Sequence, residues 1–157
     1  MACDATARLY DVDEDSVVFK KLDKTKRYDQ GTVTFRARKG ALIDLDKLHE
    51  SIWATRLSGG TRSGIVSLEV TVIGELQTSS QQTVLKVAGS NAEFILKKHT
   101  DEKHVATFGR VQMLTGNGTV VRVTGQIENY AGRWPNLLKT KPINPRGILV
   151  TAIEVEE

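Results

Sequence analysis

The 157-residue chain predicts an α+β fold that is mostly β, with a small curled sheet at its centre. The phrase Val-x-Val-x-Gly-x-aliphatic occurs twice, at residues 70–76 and 121–127. Apolar and polar residues alternate in both copies, which is the period of a half-buried strand. A glycine inside such a strand indicates a bend, a bulge or a close backbone approach. Bends at Gly74 and Gly125 therefore predict a sheet that curls, as small barrels do.

The first forty residues predict little regular structure before one clear strand. Residues 1–15 are polar and acidic and predict a loose segment. Residues 16–19 predict either a short edge strand or a segment that only packs locally. Residues 20–30 carry a basic run and predict a charged linker or a hairpin limb. Residues 31–38 alternate apolar and polar side chains, which predicts a strand.

A single convincing helix is expected next, at about residues 45–57. Asp44 is its expected N-cap, because an aspartate oxygen can accept hydrogen bonds from the first free backbone N–H groups. Apolar residues at helical spacing would face the sheet, with His49 at the margin of that buried stripe. Gly59 and Gly60 are expected to end the helix as a left-handed cap.

From residue 65 onward the pattern is that of strands and turns. The expected strands are at 65–76, 83–87, 92–96, 119–127 and 148–155. Residues 78–81 and 116–118 are turn sequences. Residues 97–116 predict a helical or irregular crossover. The segment 129–147 holds all three prolines of the chain and predicts a long loop.

The succession of elements in residues 65–157 resembles an OB-fold. Such barrels contain three strands, a connector and two further strands that close a five-stranded barrel. The resemblance is one of element order, because the OB-fold has no diagnostic sequence motif. It implies a binding face on the second and third strands of the barrel, which is where these domains hold single-stranded nucleic acid.

Residues 31–73 resemble the opening strand–helix–strand of heavy-metal-associated domains, which are ferredoxin-like. In the metal-binding members a Met-x-Cys-x-x-Cys loop joins the first strand to the helix. Here residues 39–44 read Lys-Gly-Ala-Leu-Ile-Asp, so both cysteines are absent and no soft ligand remains. The resemblance therefore implies a metal-domain-like unit without a metal or a cofactor. The strand–helix order leaves strand 65–76 free to lie parallel to strand 31–38. Because the two resemblances overlap at strand 65–76, that strand could serve both parts.

These observations predict three segments within one compact domain. Residues 1–30 would be a flexible charged N-terminal segment, residues 31–64 a strand–helix unit, and residues 65–157 the OB-like barrel.

Net charge and cysteine content leave several partners open. The net charge of +3 permits contact with an anionic ligand or with nucleic acid but does not require it. Cys3 is the only cysteine, so a disulfide within the chain is excluded. It is either the lipid-anchored cysteine of an exported lipoprotein or an incidental thiol at a frayed end. On the first interpretation the protein is extracytoplasmic, which is the location favoured here. No apolar run is long enough to predict a transmembrane segment.

The contact surface favoured by the sequence is the loop 129–147 together with the connector 58–64. The nucleic-acid alternative uses the barrel face and Trp134. Aromatic rings can stack on bases and cations can neutralise phosphates. The residues are Lys86, Lys97, Arg122, Tyr130, Arg133, Trp134, Lys139, Lys141 and Arg146. The alternative is that Trp134 anchors its own loop and the cations only keep the surface solvated. Phe94 is expected to face the core by alternation.

The remaining constellations are weak. His99 and His104 flank two acidic residues, but a spacing of five does not place both rings on one helical face, so a solvated crossover is expected. No nucleophile–base pair or carboxylate dyad can be placed. The sequence thus predicts a non-enzymatic binding or interaction module for an unknown protein or anionic ligand. The alternative is a single-stranded nucleic-acid-binding OB-fold protein.

Overall fold

The computed structural model describes residues 2–21, 31–56, 60, 64–130 and 146–157, with the side chains of residues 2 and 3 left aside. The described residues up to 65 form one compact unit, and those from 66 onward form another. The predicted α+β class with a five-stranded sheet is confirmed.

The first unit contains more structure than the sequence predicts for its first fifteen residues. Helix α1 spans Ala2–Ala7, and a single 3-10 turn spans Glu14–Ser16. Ala5, Thr6 and Val12 are buried, so the prediction of a loose segment is wrong. The reason is local packing: α1 contacts helix α2 (Leu45–Ala54), and the Ser51 hydroxyl donates to the Ala5 carbonyl at 2.9 Å.

Helix α2 begins where the sequence predicts and ends earlier. The Asp44 carboxylate accepts from the Asp46 and Lys47 N–H groups at 3.0 and 3.1 Å, which confirms the predicted N-cap. Thr55 ends the helix in an extended conformation, before the predicted glycine cap. His49 is 2% exposed and belongs to the buried face with its neighbours, rather than to its margin.

Strands β1 (Val18–Lys21) and β2 (Gly31–Thr34) form a two-stranded antiparallel sheet. The pairing continues at an isolated bridge between Val12 and Ala37. The predicted strand 31–38 is therefore shorter. Its partner is β1, whereas the strand at 69–79 belongs to a separate five-stranded ring. The backbone of β2 pairs antiparallel with β1, the described strand that precedes it in the sequence.

The second unit is built on a closed five-stranded ring. Its strands are β3 (Glu69–Ser79), β4 (Gln82–Val87), β5 (Glu93–Lys98), β6 (Val120–Ile127) and β7 (Arg146–Val155). The order around the ring is β3-β4-β5-β7-β6. All pairs are antiparallel except β5–β7, which are parallel.

The two copies of the repeated phrase pair with each other. Val72 lies opposite Val123, Gly74 opposite Val121, and Val70 opposite Gly125. The two copies thus pair antiparallel, with the Val72–Val123 pair midway between the two glycines. Both valines of that pair lie on the side of the strands that carries the core, as the alternation predicts.

Both glycines lie where another strand comes too close for a side chain. At Gly74, β3 passes from pairing with β6 to pairing with β4. A Cβ added there would lie 2.2 Å from the Lys86 carbonyl oxygen. A Cβ at Gly125 would lie 2.4 Å from the Leu149 carbonyl oxygen, beside a bulge in the β6–β7 pairing. Of the alternatives that the sequence left open, a close backbone approach is therefore found at both positions, and a bulge only beside Gly125.

The interior of the ring is apolar, and a helix covers part of it. Between β5 and β6 the chain forms a 3-10 turn (Glu102–His104) and helix α3 (Val105–Leu114), as the predicted crossover requires. Helix α3 packs against β7 and β5 and buries Val111. The buried ring residues include Leu76, Leu85, Phe94, Leu96, Val121, Val123, Ile148, Val150 and Ile153. Among the described residues, no helix is both long and apolar enough to cross a membrane.

Candidate functional site

One concavity of the second unit lies at the turn between β4 and β5. It is a shallow cleft of about 520 Å³, lined by Gly74, Glu75, Lys86, Val87, Ala88, Gly89, Ser90, Asn91 and Val120. Ligand pockets in proteins span about 300–1,000 Å³, so the cleft has room for a small group or a side chain. The turn is held by hydrogen bonds from the Val87 N–H to the Ala92 carbonyl and from the Ala92 N–H to the Ser90 hydroxyl.

A row of alternating charge crosses the outer surface next to this cleft. Lys86 on β4 lies opposite Glu75 on β3 and opposite Glu93 on β5. Leu85, the residue before Lys86, faces the core, so alternation turns the lysine and its two partners outward. Directly opposed side chains have Cβ atoms about 4.5–5.5 Å apart, close enough to interact. We call these three residues the charged row.

The charged row makes Lys86 a weaker anion contact than the sequence predicts. A polyanion would meet one ammonium group flanked by two carboxylates. Those carboxylates repel phosphate and offset the attraction of the lysine at the same distance. The arrangement suits a ligand that itself carries both signs of charge.

Two further predicted cations are already paired with carboxylates. The Lys97 ammonium lies 2.6 Å from the Glu128 carboxylate, and the Arg122 guanidinium lies 2.8 Å from Glu156. Gly147 makes room for the first pair, because a Cβ there would lie 2.7 Å from the Glu128 oxygen. Neither cation is presented alone to a ligand.

Tyr130 and Arg146 contact each other, and the Tyr130 ring is not open to a ligand. The Tyr130 ring is 2% exposed, so it is not an accessible stacking platform of the kind the sequence predicts. Asn129, just before it, has a φ of 56°, and this turn precedes the buried ring. The Arg146 guanidinium lies 5.4 Å from the centre of the ring, within the range of a cation–π contact.

The other predicted contacts lie outside the described residues. These are Arg133, Trp134, Lys139 and Lys141, and the two interpretations of Trp134 stay predictions. The side chain of Cys3 is likewise outside them, so the lipid anchor also stays a prediction.

The histidine pair is closer than its sequence spacing suggests. The ring centres of His99 and His104 are 4.9 Å apart, because the chain turns between them instead of continuing as a helix. His99 Nδ1 accepts from the Asp101 N–H at 2.9 Å. Its lone pair is therefore used, and in the neutral ring the proton is on Nε2. Since a metal needs a free lone pair, His99 is not poised to bind one.

Asp101 organises the same turn. Its carboxylate accepts from the Lys103 N–H at 3.2 Å and lies 3.2 Å from the Lys103 ammonium. The backbone hydrogen bond from Lys103, reinforced by its side chain, holds the pKa of Asp101 below its usual range. Across the described ranges, no three His, Cys, Asp or Glu side chains form a group that could hold a metal ion.

Sequence reasoning missed the cleft itself. Residues 89–91 lie between the predicted strands 83–87 and 92–96, but nothing in the sequence brings Val120 of β6 beside them. That contact follows from the ring register, in which Val120 lies opposite Glu75.

Comparison with known proteins adds no relationship: no family model, no curated protein and no solved structure matches the chain.

Proposed function

We propose that the protein is a non-enzymatic binding module built on an OB-like barrel. The observation that carries this proposal is the ring order β3-β4-β5-β7-β6, with a parallel β5–β7 pair and helix α3 between β5 and β6. An OB-fold places its first three strands, its connector and its last two strands in this arrangement. The proposed contact surface is the charged row together with the cleft at the β4–β5 turn.

The charge of this surface favours a polypeptide as the ligand. Glu75, Lys86 and Glu93 alternate in sign, and Val120 adds an exposed apolar side chain at the edge of the cleft. A peptide can match both signs of charge and place one side chain in the cleft, with charge complementarity setting its register. A nucleic-acid strand carries one sign only.

Single-stranded nucleic acid is the second candidate. It is supported by the position of Lys86 and Lys97 on β4 and β5, the strands with which OB barrels hold oligonucleotides. The pairing of Lys97 with Glu128, and the two glutamates beside Lys86, weigh against it.

Selection of random displayed peptides against the whole chain tests the first candidate. We expect selected peptides to lose affinity by about ten- to a hundredfold in Lys86→Gln, since removal of a charge-assisted contact costs about 1.5–3 kcal/mol. Arg110→Gln is the matched control, because it removes an exposed cation on α3, an element that contributes no residue to the charged row or to the lining of the cleft. Selected peptides that bind Lys86→Gln and wild type equally would show that the contact surface is elsewhere.

Fluorescence anisotropy with a single-stranded oligonucleotide at low salt tests the second candidate. If the barrel face binds the strand, affinity should fall steeply with added salt as counterions are released. It should also fall in Lys86→Gln and not in Arg110→Gln. Absence of binding at low salt would remove this candidate and leave the first untouched.

A further inference from the structure

The turn that joins helix α3 to strand β6 carries an asparagine between two glycines. Gly116, Asn117 and Gly118 follow the end of α3 at Leu114 and precede β6, which begins at Val120. The two glycines have positive φ values of 87° and 65°. Glycine reaches such angles without steric cost and leaves the adjoining backbone free to change conformation. Asn117 thus lies between two residues that restrict its backbone very little.

This turn is also open to water. Asn117 and both glycines are exposed, and a Cβ added to either glycine would meet no described atom within 4 Å. Within the part of the chain that the structure describes, neither the Gly118 N–H nor the Asn117 side chain makes a hydrogen bond. The backbone nitrogen of Gly118 and the side-chain amide of Asn117 are therefore both available to react.

The two groups are adjacent in the chain and can close a cyclic imide. Asparagine is among the thermally labile residues of proteins. The Gly118 nitrogen, after hydroxide removes its proton, can attack the Cγ carbon of Asn117. The bond from this nitrogen to Cγ forms and the bond from Cγ to Nδ2 breaks, so that Nδ2 takes a proton from water and leaves as ammonia. Because glycine has no Cβ, its nitrogen approaches Cγ with little hindrance.

We propose that Asn117 is a site of spontaneous modification, at which the Gly118 nitrogen displaces ammonia from the side chain. Water then opens the imide at either of its two carbonyl carbons. Cleavage of the bond from nitrogen to Cγ leaves aspartate at position 117, and cleavage of the bond from nitrogen to the backbone carbonyl carbon leaves isoaspartate. The whole reaction consumes water and releases ammonia. It does not depend on the binding function proposed above.

Both products change the chain just before strand β6. Each adds a carboxylate, and isoaspartate also lengthens the main chain by the Cβ carbon of position 117. The carbonyl of Val120, three residues further on, accepts from the Glu156 N–H at 2.9 Å, and Val120 pairs with Glu75. The new charge follows the negative end of α3, whose last turn contains no basic residue. The modified chains should therefore be less stable than the original chain.

Two other described asparagines provide comparisons within the same molecule. Asn91 is exposed, but the nitrogen that would attack it belongs to Ala92, whose N–H donates to the Ser90 hydroxyl at 3.0 Å. Asn129 precedes Tyr130, whose side chain is 2% exposed. At both positions the next residue has a side chain beside its nitrogen and is held in place by the fold. We therefore expect slower reaction at both.

Incubation of the full folded chain at mildly alkaline pH tests the proposal. Digested samples are followed over time by chromatography and mass spectrometry. The peptide that contains Asn117 should gain about one mass unit, the difference between a hydroxyl and an amino group, and should separate into an aspartate and an isoaspartate form. The same chain unfolded in guanidinium chloride gives the rates without structure. Folding should leave the rate at Asn117 nearly unchanged and lower the rates at Asn91 and Asn129.

Two variants test the attacked and the attacking group separately. Asn117→Gln would have to close a larger ring, so its peptide should keep its mass over the same period. Gly118→Ala places a side chain beside the nitrogen and should slow the loss of ammonia from Asn117. Gly89→Ala is the matched control, because Gly89 is an equally open glycine with a φ of 72° in another turn. It should leave the rate at Asn117 unchanged.

Three results would overturn the proposal. In the first, Asn117 of the folded chain keeps its mass for as long as Asn91 and Asn129 do. In the second, Gly118→Ala loses ammonia at the wild-type rate. In the third, aspartate forms without isoaspartate, because direct attack of water on the side-chain amide gives aspartate alone.

Discussion

Replacement of Gly74 by alanine tests whether the ring closes because this residue has no side chain. The added Cβ would lie 2.2 Å from the Lys86 carbonyl oxygen and 2.9 Å from its carbon. These are backbone atoms, so no rotation of a side chain relieves the contact. Strands β3 and β4 must move apart at the point where β3 joins both of its neighbours.

The size of the effect follows from that displacement. To move from 2.2 Å to an ordinary contact of 3.4 Å, the carbonyl must retreat by about 1.2 Å. A backbone hydrogen bond of about 2.9 Å stretched by that amount is lost, and each lost bond costs about 0.5–1.5 kcal/mol. With two bonds lost and the strain of overpacking added, we expect Gly74→Ala to lower the free energy of unfolding by about 3 kcal/mol. The melting temperature should fall by about 6–12 °C.

Urea denaturation followed by circular dichroism measures the change. The midpoint should fall while the m-value stays constant, as expected when stability changes and the two end states do not. Gly109→Ala is the matched control, since Gly109 is on α3 with open space around it. That variant should gain about 0.5–1 kcal/mol, because alanine favours a helix over glycine. A Gly74→Ala variant as stable as the wild type would refute the close-approach argument.

Three smaller effects follow from individual contacts. Asp44→Ala should lower the free energy of unfolding, measured by urea denaturation, by about 1 kcal/mol. Asp44→Asn should lower it much less, because asparagine also caps a helix. Equal losses in the two variants would exclude capping as the cause. Lys97→Met breaks the Lys97–Glu128 ion pair and should lower the free energy of unfolding by about 0.5 kcal/mol, and by less at high salt, because both side chains are partly exposed. A double-mutant cycle with Glu128→Gln isolates the contribution of the pair. Because the pKa of Asp101 is lowered in the folded state, its stabilisation is present above the unfolded-state pKa of about 4 and is lost as pH falls through the folded value. The stability difference between wild type and Asp101→Asn should therefore vanish in acid, and an NMR titration of the carboxyl that shows an ordinary pKa would contradict the assignment.

The β-rich half of the molecule was predictable because its strands carry strong local signals. Alternation located the strands, and the two interior glycines marked where a neighbouring backbone comes close. Asp44 was recognisable as a cap because capping depends on residues only two or three positions apart. Each of these signals lies within a single segment of the chain.

Features that depend on register across strands were not predictable. Lys86 lies between two glutamates only because three strands pair in one particular alignment. In the same way, the partner of Lys97 is thirty-one positions away. The sequence shows these cations but not the carboxylates that offset them, so it overstates the positive charge available to a ligand.

The first unit shows a different limit. The backbone of β2 could hydrogen-bond to β1 or to a later strand. The alternation of apolar and polar side chains along β2 is the same with either partner, so it does not identify the partner. The local hairpin closes a shorter loop, which costs less chain entropy. Helix α1 was missed because its few small residues, packed against α2, give no amphipathic stripe.

The close approaches at positions 74 and 125 also decide which alignments of the ring exist. A strand that slips by two residues keeps every apolar side chain on the inner face, so hydrophobic patterning alone cannot forbid the slip. Sliding β3 along β4 in that way would bring Val72 or Leu76 to the site now held by Gly74, with a Cβ against the Lys86 carbonyl. The same holds for β6 along β7 at Gly125. Each glycine thus permits only one register between its strand and the neighbouring strand. Together the two glycines prevent the ring from closing with a strand shifted by two residues.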